Sequence, residues 1–531
     1  MKRNPVVFIA SKEYDNLGVG YMSALLNKAG FSSEIIDASY KKKRILKKLI
    51  SLNPVIVGFS VIYQYNIDRF AQLVRFLRKG GIKCHLTAGG HYASLRYREL
   101  FELVPELDSI VRFDGEYTIC ELATNIHSGL EWRNIKSLVH SDKGEIIANP
   151  LRPLEEDLDK LPYPARAPLS NYAFDKTFST ILAGRGCVHN CSFCNLREYY
   201  RPFPGLAKRI RKPEMVVKEM DYLFRKKGCS IFLFQDDDFP VSGKKGLDWI
   251  KRFCNELKSN GLSNKIMWKI NCRPDEIKEK TFAMMKSNGL FLVFIGIEDG
   301  TDTGLKRFNK HMTLAESLAG INTLKKLNIG FDFGFMLFQP ATTFKSLKEN
   351  LDFLRSIVGD GYSPVTLIKT MPYYESLIEK ELIKEGRIKG RSGYRDYDFL
   401  EDEMNNYYKF LVNCFSKWTR DRQGVENILK WARNYVSVCS RYFGSTTILP
   451  LIERDIKNIT ADSNLFFLNT MNELATLFES GKYNENDAYL IKYRRKIKIK
   501  HKHFKEKINS SISNLLVLAE LQRQVPTALS R

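Results

Sequence analysis

The stretch Ala183–Asn195, AGRGCVHNCSFCN, sets three cysteines in one short loop. Three residues separate Cys187 from Cys191, and two separate Cys191 from Cys194. The loop is entered through FSTILAGRG, which begins at Phe178 and has the apolar, β-branched character of a buried strand. A thiol trio directly after a strand stands where a βα barrel carries its chemistry, at the strand carboxyl ends.

Five further strand candidates follow: SIFLFQDD, KIMWKINCR, FLVFIGIED, IGFDFGFML and PVTLIKTMP. Helical patterns such as GLDWIKRFCNELKSNG lie between them. Six βα units without closure to eight predict an open, partial barrel over 171–385. Upstream, PVVFIAS, SSEIIDA, PVIVGFSVI, CHLTAGG and SIVRFDG alternate with amphipathic segments. That pattern predicts a parallel, Rossmann-like sheet with helices on both faces, over residues 1–147. Ligands of such sheets meet the loops after the strands, here Asp15 to Gly20, Ser60 and Gly89-Gly90. The proline- and charge-rich segment 148–170 reads as a linker. Strand signals stop near Tyr374, and 386–531 reads as a mostly helical region expected to cover the site and shape its pocket.

The chain has 531 residues, enough for about three domains. Apolar residues make up 44% and charged ones 27%, which reads as a soluble, globular chain rather than a disordered one. No apolar run approaches the roughly 20 residues of a membrane span. MKRNPVVFIASKEYD breaks into charge too early for a signal peptide, so a cytoplasmic protein is expected. Seven of the ten cysteines are scattered singly and read as small buried hydrophobes. The net charge is +23, and its densest run is Ile491–Lys507. A phosphate or anionic-membrane contact competes there with a solvated helix face, and the sparse aromatics favour the latter.

Three thiolates admit two metals. Zinc would need a fourth ligand, for which His189 is the near candidate. A four-iron cube accepts closely spaced cysteines, and three of them leave one iron open to substrate. Spacing alone leaves these level; the position after a strand favours catalysis.

The Cys187-x-x-x-Cys191-x-x-Cys194 segment, with Phe193 before the last cysteine, resembles radical S-adenosylmethionine (SAM) enzymes. The resemblance implies a [4Fe-4S] cluster held by these cysteines, SAM chelated at the open iron, and one-electron cleavage to a 5′-deoxyadenosyl radical. It also implies an electron donor such as a flavodoxin or ferredoxin. Carried over, Phe193 flanks the adenine, Asp236 and Asp237 meet the methionine amine, and Glu298 approaches the ribose. For the two aspartates, capping of the next helix is the competing reading. Arg273 is either a carboxylate clamp or an ion pair. GIEDGTDTGLKRFNKHMT (Gly296–Thr313) resembles the GIESGSDxxLKxxNKxxT of one branch. Gln339 replaces a commoner glycine in MLFQPATTFKSLKENLDF, and TMPYYESLIEKELIKEGRI lacks the branch's Pro-Gly-Thr turn.

The N-terminal region resembles the cobalamin-binding domain fused to that branch, whose fingerprint is Asp-x-His-x-x-Gly, Ser-x-Leu and Gly-Gly. Here Asp15, Leu17 and Gly20 occupy the first element, Ser60-Val61-Ile62 the second and Gly89-Gly90 the third. FDGEYT, Phe113–Thr118, matches the last strand and turn. Leu17 stands where histidine would ligate cobalt from below, and leucine cannot donate. Together the resemblances imply methylation of an unactivated carbon on a small-molecule biosynthetic intermediate. Alternatives are a cobalamin-assisted rearrangement, ring contraction or cyclisation, RNA modification, and a non-catalytic iron–sulfur or zinc module. Against RNA modification, the N-terminal domain holds only Cys84 and Cys120, too few for the second cluster of methylthiotransferases.

Overall fold

Every residue of Val6–Ala10 (β1) is buried, and alternate side chains serve two cores. Val7 and Ile9 pack with Val57, Phe59, Leu86 and Ala88. Val6, Phe8 and Ala10 pack with Ile56, Ile119 and Leu122. A strand covered on both faces needs no polar side, which is why these segments read as unbroken apolar runs. The computed structural model describes residues 3–11, 16–205, 207–391, 393–444, 446–483 and 488–524. In it β1 pairs in parallel with Ser33–Asp37 (β2) and Ile56–Ser60 (β3). The sheet continues in parallel through His85–Gly89 (β4) and Ser109–Val111 (β5).

These are the five strands the sequence predicts. The sheet then gains an antiparallel hairpin, Leu138–Asp142 (β6) and Glu145–Ala148 (β7), in the order β2-β1-β3-β4-β5-β6-β7. Its two-residue turn is Lys143-Gly144, with φ of 48° and 87°. Positive φ at both positions makes a type I′ turn, and lysine in place of Asn or Asp leaves little sequence signal.

The chain divides into two compact units. The first gathers residues 1–169, 180–215 and 371–396; the second gathers 170–179, 216–370 and 397–531. The cysteine loop thus folds with the N-terminal sheet. So does the segment 148–169, which is packed rather than loose. Its Ala165 N donates to Gly20 O at 3.0 Å, and Asp159 pairs with Arg211 at 2.9 Å.

In the second sheet, Ser170–Ala173 (β8) forms a hairpin with Lys176–Ile181 (β9). After β9, Gly184–Arg185 (β10) and Arg209–Ile210 (β11) make a short antiparallel pair. The sheet continues through Cys229–Phe234 (β12), Met267–Cys272 (β13), Leu290–Glu298 (β14) and Gly330–Phe335 (β15). Its order is β15-β14-β13-β12-β9-β8, and β12 to β15 are parallel, a half-barrel sheet.

The sixth predicted strand is reduced to a single parallel bridge, Phe338 to Lys369. Pro364 and Pro372 bracket it and donate no hydrogen bond. The Lys369 ammonium is drawn instead into a cage of Tyr397, Phe399 and Tyr408 rings, with centroids at 4.2, 4.9 and 5.0 Å.

The C-terminal region is helical, and one of its helices corrects an expectation. Val425–Tyr442 lies at the strand starts, the end opposite the strand carboxyl ends. Arg433 Nη1 donates to Phe331 O at 2.6 Å, Arg441 Nη2 to Ile266 O at 3.2 Å, and Tyr442 Oη to Ser230 O at 2.8 Å. Carbonyls at the rim of an open sheet need donors, and this helix supplies them. No helix among the described residues is long and apolar enough to cross a membrane.

A Cβ on Gly20 would lie 2.6 Å from Ala165 O. Gly20→Ala is therefore expected to push the 148–169 segment off its helix, at a cost of about 1–3 kcal/mol. Limited proteolysis checks this: faster cleavage within 148–169 is expected, and an unchanged rate contradicts it.

Candidate functional site

The loop AGRGC is held by backbone contact and by buried charge. A Cβ on Gly184 would lie 2.7 Å from Arg209 O, and one on Gly186 (φ 87°) 1.8 Å from Ala207 O. Only glycine allows that approach. Between them Arg185 reaches Asp114 at 3.1 Å and Glu116 at 2.7 Å, both in FDGEYT. Arg209 adds a second bond to Asp114 at 2.9 Å. Burial alone would raise the Asp114 carboxyl; the two guanidiniums override it and hold it below the usual carboxylate range.

Cys187, Cys191 and Cys194 are all half-buried and none is in a disulfide. Cys194 N donates to Cys191 O at 3.1 Å, a turn that leads into the Leu196–Tyr200 helix. A tetrahedral zinc would draw its sulfurs to about 3.8 Å of one another. Among the described residues, no grouping of three ligand atoms within 4.8 Å joins the three sulfurs, although Cys187 and His189 do come that close. Three soft thiolate donors closely spaced along one loop suit a multi-iron cluster.

The same unit ties this loop to the loop after β3. Tyr374, 3% exposed, accepts at its carbonyl from Asn195 Nδ2 at 3.2 Å. Its N–H donates to Gln64 Oε1 at 3.0 Å, and its hydroxyl to Ile62 O at 2.7 Å. Ile378 N donates to Ser192 O at 3.0 Å, inside the cysteine segment. TMPYYES, which lacks the expected turn, thus bridges Asn195, beside Cys194, to Ile62 and Gln64. Burial raises the Tyr373 hydroxyl, and nearby Tyr63 and the Cys194 thiol raise it further. Tyr63 and Tyr65 stack at 5.2 Å, both exposed.

On the neighbouring strand, Gly90 has φ 111°, and a Cβ there would sit 2.8 Å from Val61 O. Gly89 pairs with Ser60 in the sheet register. His91 follows and stacks on Tyr199 at 4.1 Å. Phe113 meets Tyr199 and Phe203 edge-on at 5.0 and 4.9 Å. Ser60, Gly89 and Gly90 are therefore brought together. Leu17 and Gly20 are turned elsewhere: Leu17 packs with Tyr21, Leu158 and Leu161, and Gly20 meets Ala165. Asp15 lies outside the described residues.

In the second unit, Asp236 and Asp237 follow β12, with Asp236 buried and Asp237 exposed. Asn271 Nδ2 donates to Asp236 O at 3.0 Å. Arg273 is held in a two-bond ion pair by Asp275, at 2.9 and 3.0 Å. Glu298 sits at a register shift in β14 with φ 71°, lying over Gly296 and Gly334. Burial raises its carboxyl; Lys310 at 3.5 Å and Arg273 oppose this only in part. Asp299 and Gln339, two departures from the family pattern, meet each other: Gln339 Nε2 donates to Asp299 Oδ2 at 2.9 Å.

One residue here was missed by sequence reasoning. Lys269 on β13 is half-buried, beside Asp332 and Asp236, and burial lowers its ammonium to about 8. Its ammonium bonds Asn271 and lies 5.8 Å from the ring centroid of the exposed Phe294. The signal was a lysine two residues before an asparagine within an otherwise apolar strand.

The B12 binding domain model matches residues 4–123, and the Radical SAM superfamily model matches 181–354. The chain belongs to the radical SAM enzymes that carry a cobalamin-binding domain. It is 25% identical over 362 residues to an uncharacterized methyltransferase of Pyrococcus horikoshii, covering 67% of this chain and 76% of that one. It is 26% identical over 426 residues to the anaerobic magnesium-protoporphyrin IX monomethyl ester cyclase of Cereibacter sphaeroides, covering 74% and 66%. Its fold matches the cobalamin-dependent SAM radical enzyme OxsB, solved with aqua-cobalamin and SAM, at a TM-score of 0.65 and 18% identity, covering 94% and 84%.

Arg185→Ala leaves two buried carboxylates short of a partner, and a loss of about 3–5 kcal/mol is expected at pH 7. The folded Asp114 value lies below the unfolded one of about 3.9, so its contribution is present above that pH and lost as pH falls through the folded value. Thermal unfolding from pH 7 to 3.5 should show the variant's deficit shrinking. An equal deficit at both ends contradicts it.

Proposed function

We propose that the chain is a B12-dependent radical SAM enzyme that methylates an unactivated carbon of a small-molecule biosynthetic intermediate. The observation that carries the reading is the Gln64–Tyr374–Asn195 chain, which fixes the loop after β3 to the cysteine loop within one unit. Transfer to a single carbon requires both reagents to be held in register, and orientation is what a protein adds to such cofactors. The likeness to a methyltransferase supports the choice of reaction.

When bound, the cluster and SAM supply a carbon-centred radical that removes a hydrogen, and cobalamin supplies the methyl group. In this reading Cys187, Cys191 and Cys194 hold the cluster and Phe193 flanks the adenine. Asp236 and Asp237 take the methionine amine and Glu298 the ribose. Arg273, braced by Asp275, offers a fixed cation. Ser60, Gly89 and Gly90 border the corrin and Asp15 keeps its place in the fingerprint, while Leu17 offers no lower ligand and Gly20, packed on Ala165, takes no part. Lys269 holds an anionic or hydrogen-bonding group of the substrate inside the half-barrel, where Phe294 gives an apolar wall. An electron enters from a flavodoxin- or ferredoxin-type donor.

The likeness to the cyclase supports a second reading, cyclisation without methyl transfer. Product mass separates the two: methylation adds one methylene unit to the substrate. Alanine at Cys187, Cys191 and Cys194 is expected to abolish both bound iron and deoxyadenosine formation under anaerobic reduction. Iron retained at the wild-type level contradicts the assignment. Lys269→Met is expected to raise KM for substrate at least tenfold with SAM cleavage in the absence of substrate unchanged; an unchanged KM contradicts its role.

A further inference from the structure

A cavity of about 420 Å³ opens at the strand starts of the half-barrel. Its walls come from the starts of β13, β14 and β15 and from the helices Val425–Tyr442 and Leu449–Glu479. Four cations line it, Lys286, Arg433, Arg441 and Lys457, against one carboxylate, Glu453. Arg433 is matched by Asp332 at 2.9 Å. The other three cations make no ion pair among the described residues. Lys286 Nζ and Arg441 Nη2 bond only main-chain carbonyls, of Asn328 at 2.8 Å and Ile266 at 3.2 Å, with Ser263 also accepting from Arg441. The Nε atoms of Arg433 and Arg441 are both buried without a hydrogen-bond partner.

Like charges drawn together in a recess are costly unless an anion joins them. The strain is visible here. Burial lowers the Lys286 ammonium and the Arg441 charge lowers it further, while burial lowers Arg441 itself. The Ser440 hydroxyl adds a neutral donor to the lining, and Phe291, Leu429 and Val436 add apolar wall. The volume lies within the roughly 300–1,000 Å³ of small-molecule sites.

We propose that this cavity binds a phosphorylated small molecule, its phosphates among Lys286, Arg441 and Lys457 and its organic part on the apolar wall. The site is independent of the radical chemistry proposed above. A phosphate group suits several separate donors, since its charge is spread over several acceptor oxygens. Guanidiniums suit it best, and the ammoniums add point charge.

The test is calorimetric titration of the full chain with inorganic pyrophosphate and, separately, with ADP. Saturable binding of ADP at one per chain is expected, with pyrophosphate weaker. The double variant Lys286→Gln/Arg441→Gln should weaken ADP binding at least tenfold. Lys500→Gln/Lys502→Gln, on the Ala488–Gln524 helix, should leave it unchanged. Absence of saturable binding, equal binding by the double variant, or an equal loss in the Lys500/Lys502 control overturns the proposal. If the double variant does not fold, hydrogen exchange of the wild-type chain decides. Slowed exchange with ADP across 433–441 and 453–460 supports the site, and unchanged exchange there overturns it.

Discussion

Arg185 is the point on which the candidate site depends. A glycine on either side lets its backbone lie against the 207–209 segment, and its guanidinium is paired to Asp114 and Glu116. Removing a charge from such a pair strands the partners in a poorly solvated place, so the contact is costly to break and specific in geometry. Through it the loop that carries the three thiols is fixed to the turn that ends β5. Tyr374 makes the second tie, to the loop after β3, and the His91–Tyr199 stack makes a third. The thiol loop is thereby a feature of the N-terminal unit, although it leaves a strand of the half-barrel sheet.

That arrangement explains two oddities of the sequence. TMPYYES lacks the Pro-Gly-Thr turn of the branch it resembles, and in its place the Tyr374 main-chain N–H and the Pro372 carbonyl engage Gln64. Gln339 stands where a glycine is commoner, and its amide is spent on Asp299, which stands where the pattern has serine. Asp299 is buried and its carboxyl is raised by that burial, so each hydrogen bond to it, from Thr301, Asn350 and Gln339, offsets part of the cost. Each departure is matched by a partner elsewhere in the same unit.

The parallel strands of the N-terminal sheet were legible because burial on both faces leaves an unbroken apolar run. The barrel strands were legible by their apolar and aromatic content, although β13 and β15 alternate buried with half-buried positions, and the thiol trio by its spacing. What escaped was what spacing does not encode. The β6–β7 hairpin turns on Lys143-Gly144, a pair with weak turn character. The sixth strand has the right composition but is bracketed by prolines, and its lysine is drawn into an aromatic cage. Gly20 fits a cofactor fingerprint, yet the space it saves is filled by Ala165. Arg273 and Asp275 are two residues apart, so their pairing was within reach of local reasoning. The Tyr374–Gln64 bond joins residues 310 positions apart, and no local pattern announces it. Lys269 was visible as a charge in an apolar strand, but its meaning needed Asp236 from the loop after β12 and Asp332 from β15.

The central claim is that the cysteine loop and the cobalamin-domain loops are held on one body. Pulsed electron paramagnetic resonance on the anaerobically reconstituted, reduced protein measures it most directly, through the dipolar coupling between the reduced cluster and cob(II)alamin. A single narrow distance, broadened when Arg185 is replaced by alanine, is the result this account predicts. A broad distribution in the wild-type chain, or no coupling with both centres loaded, would contradict it.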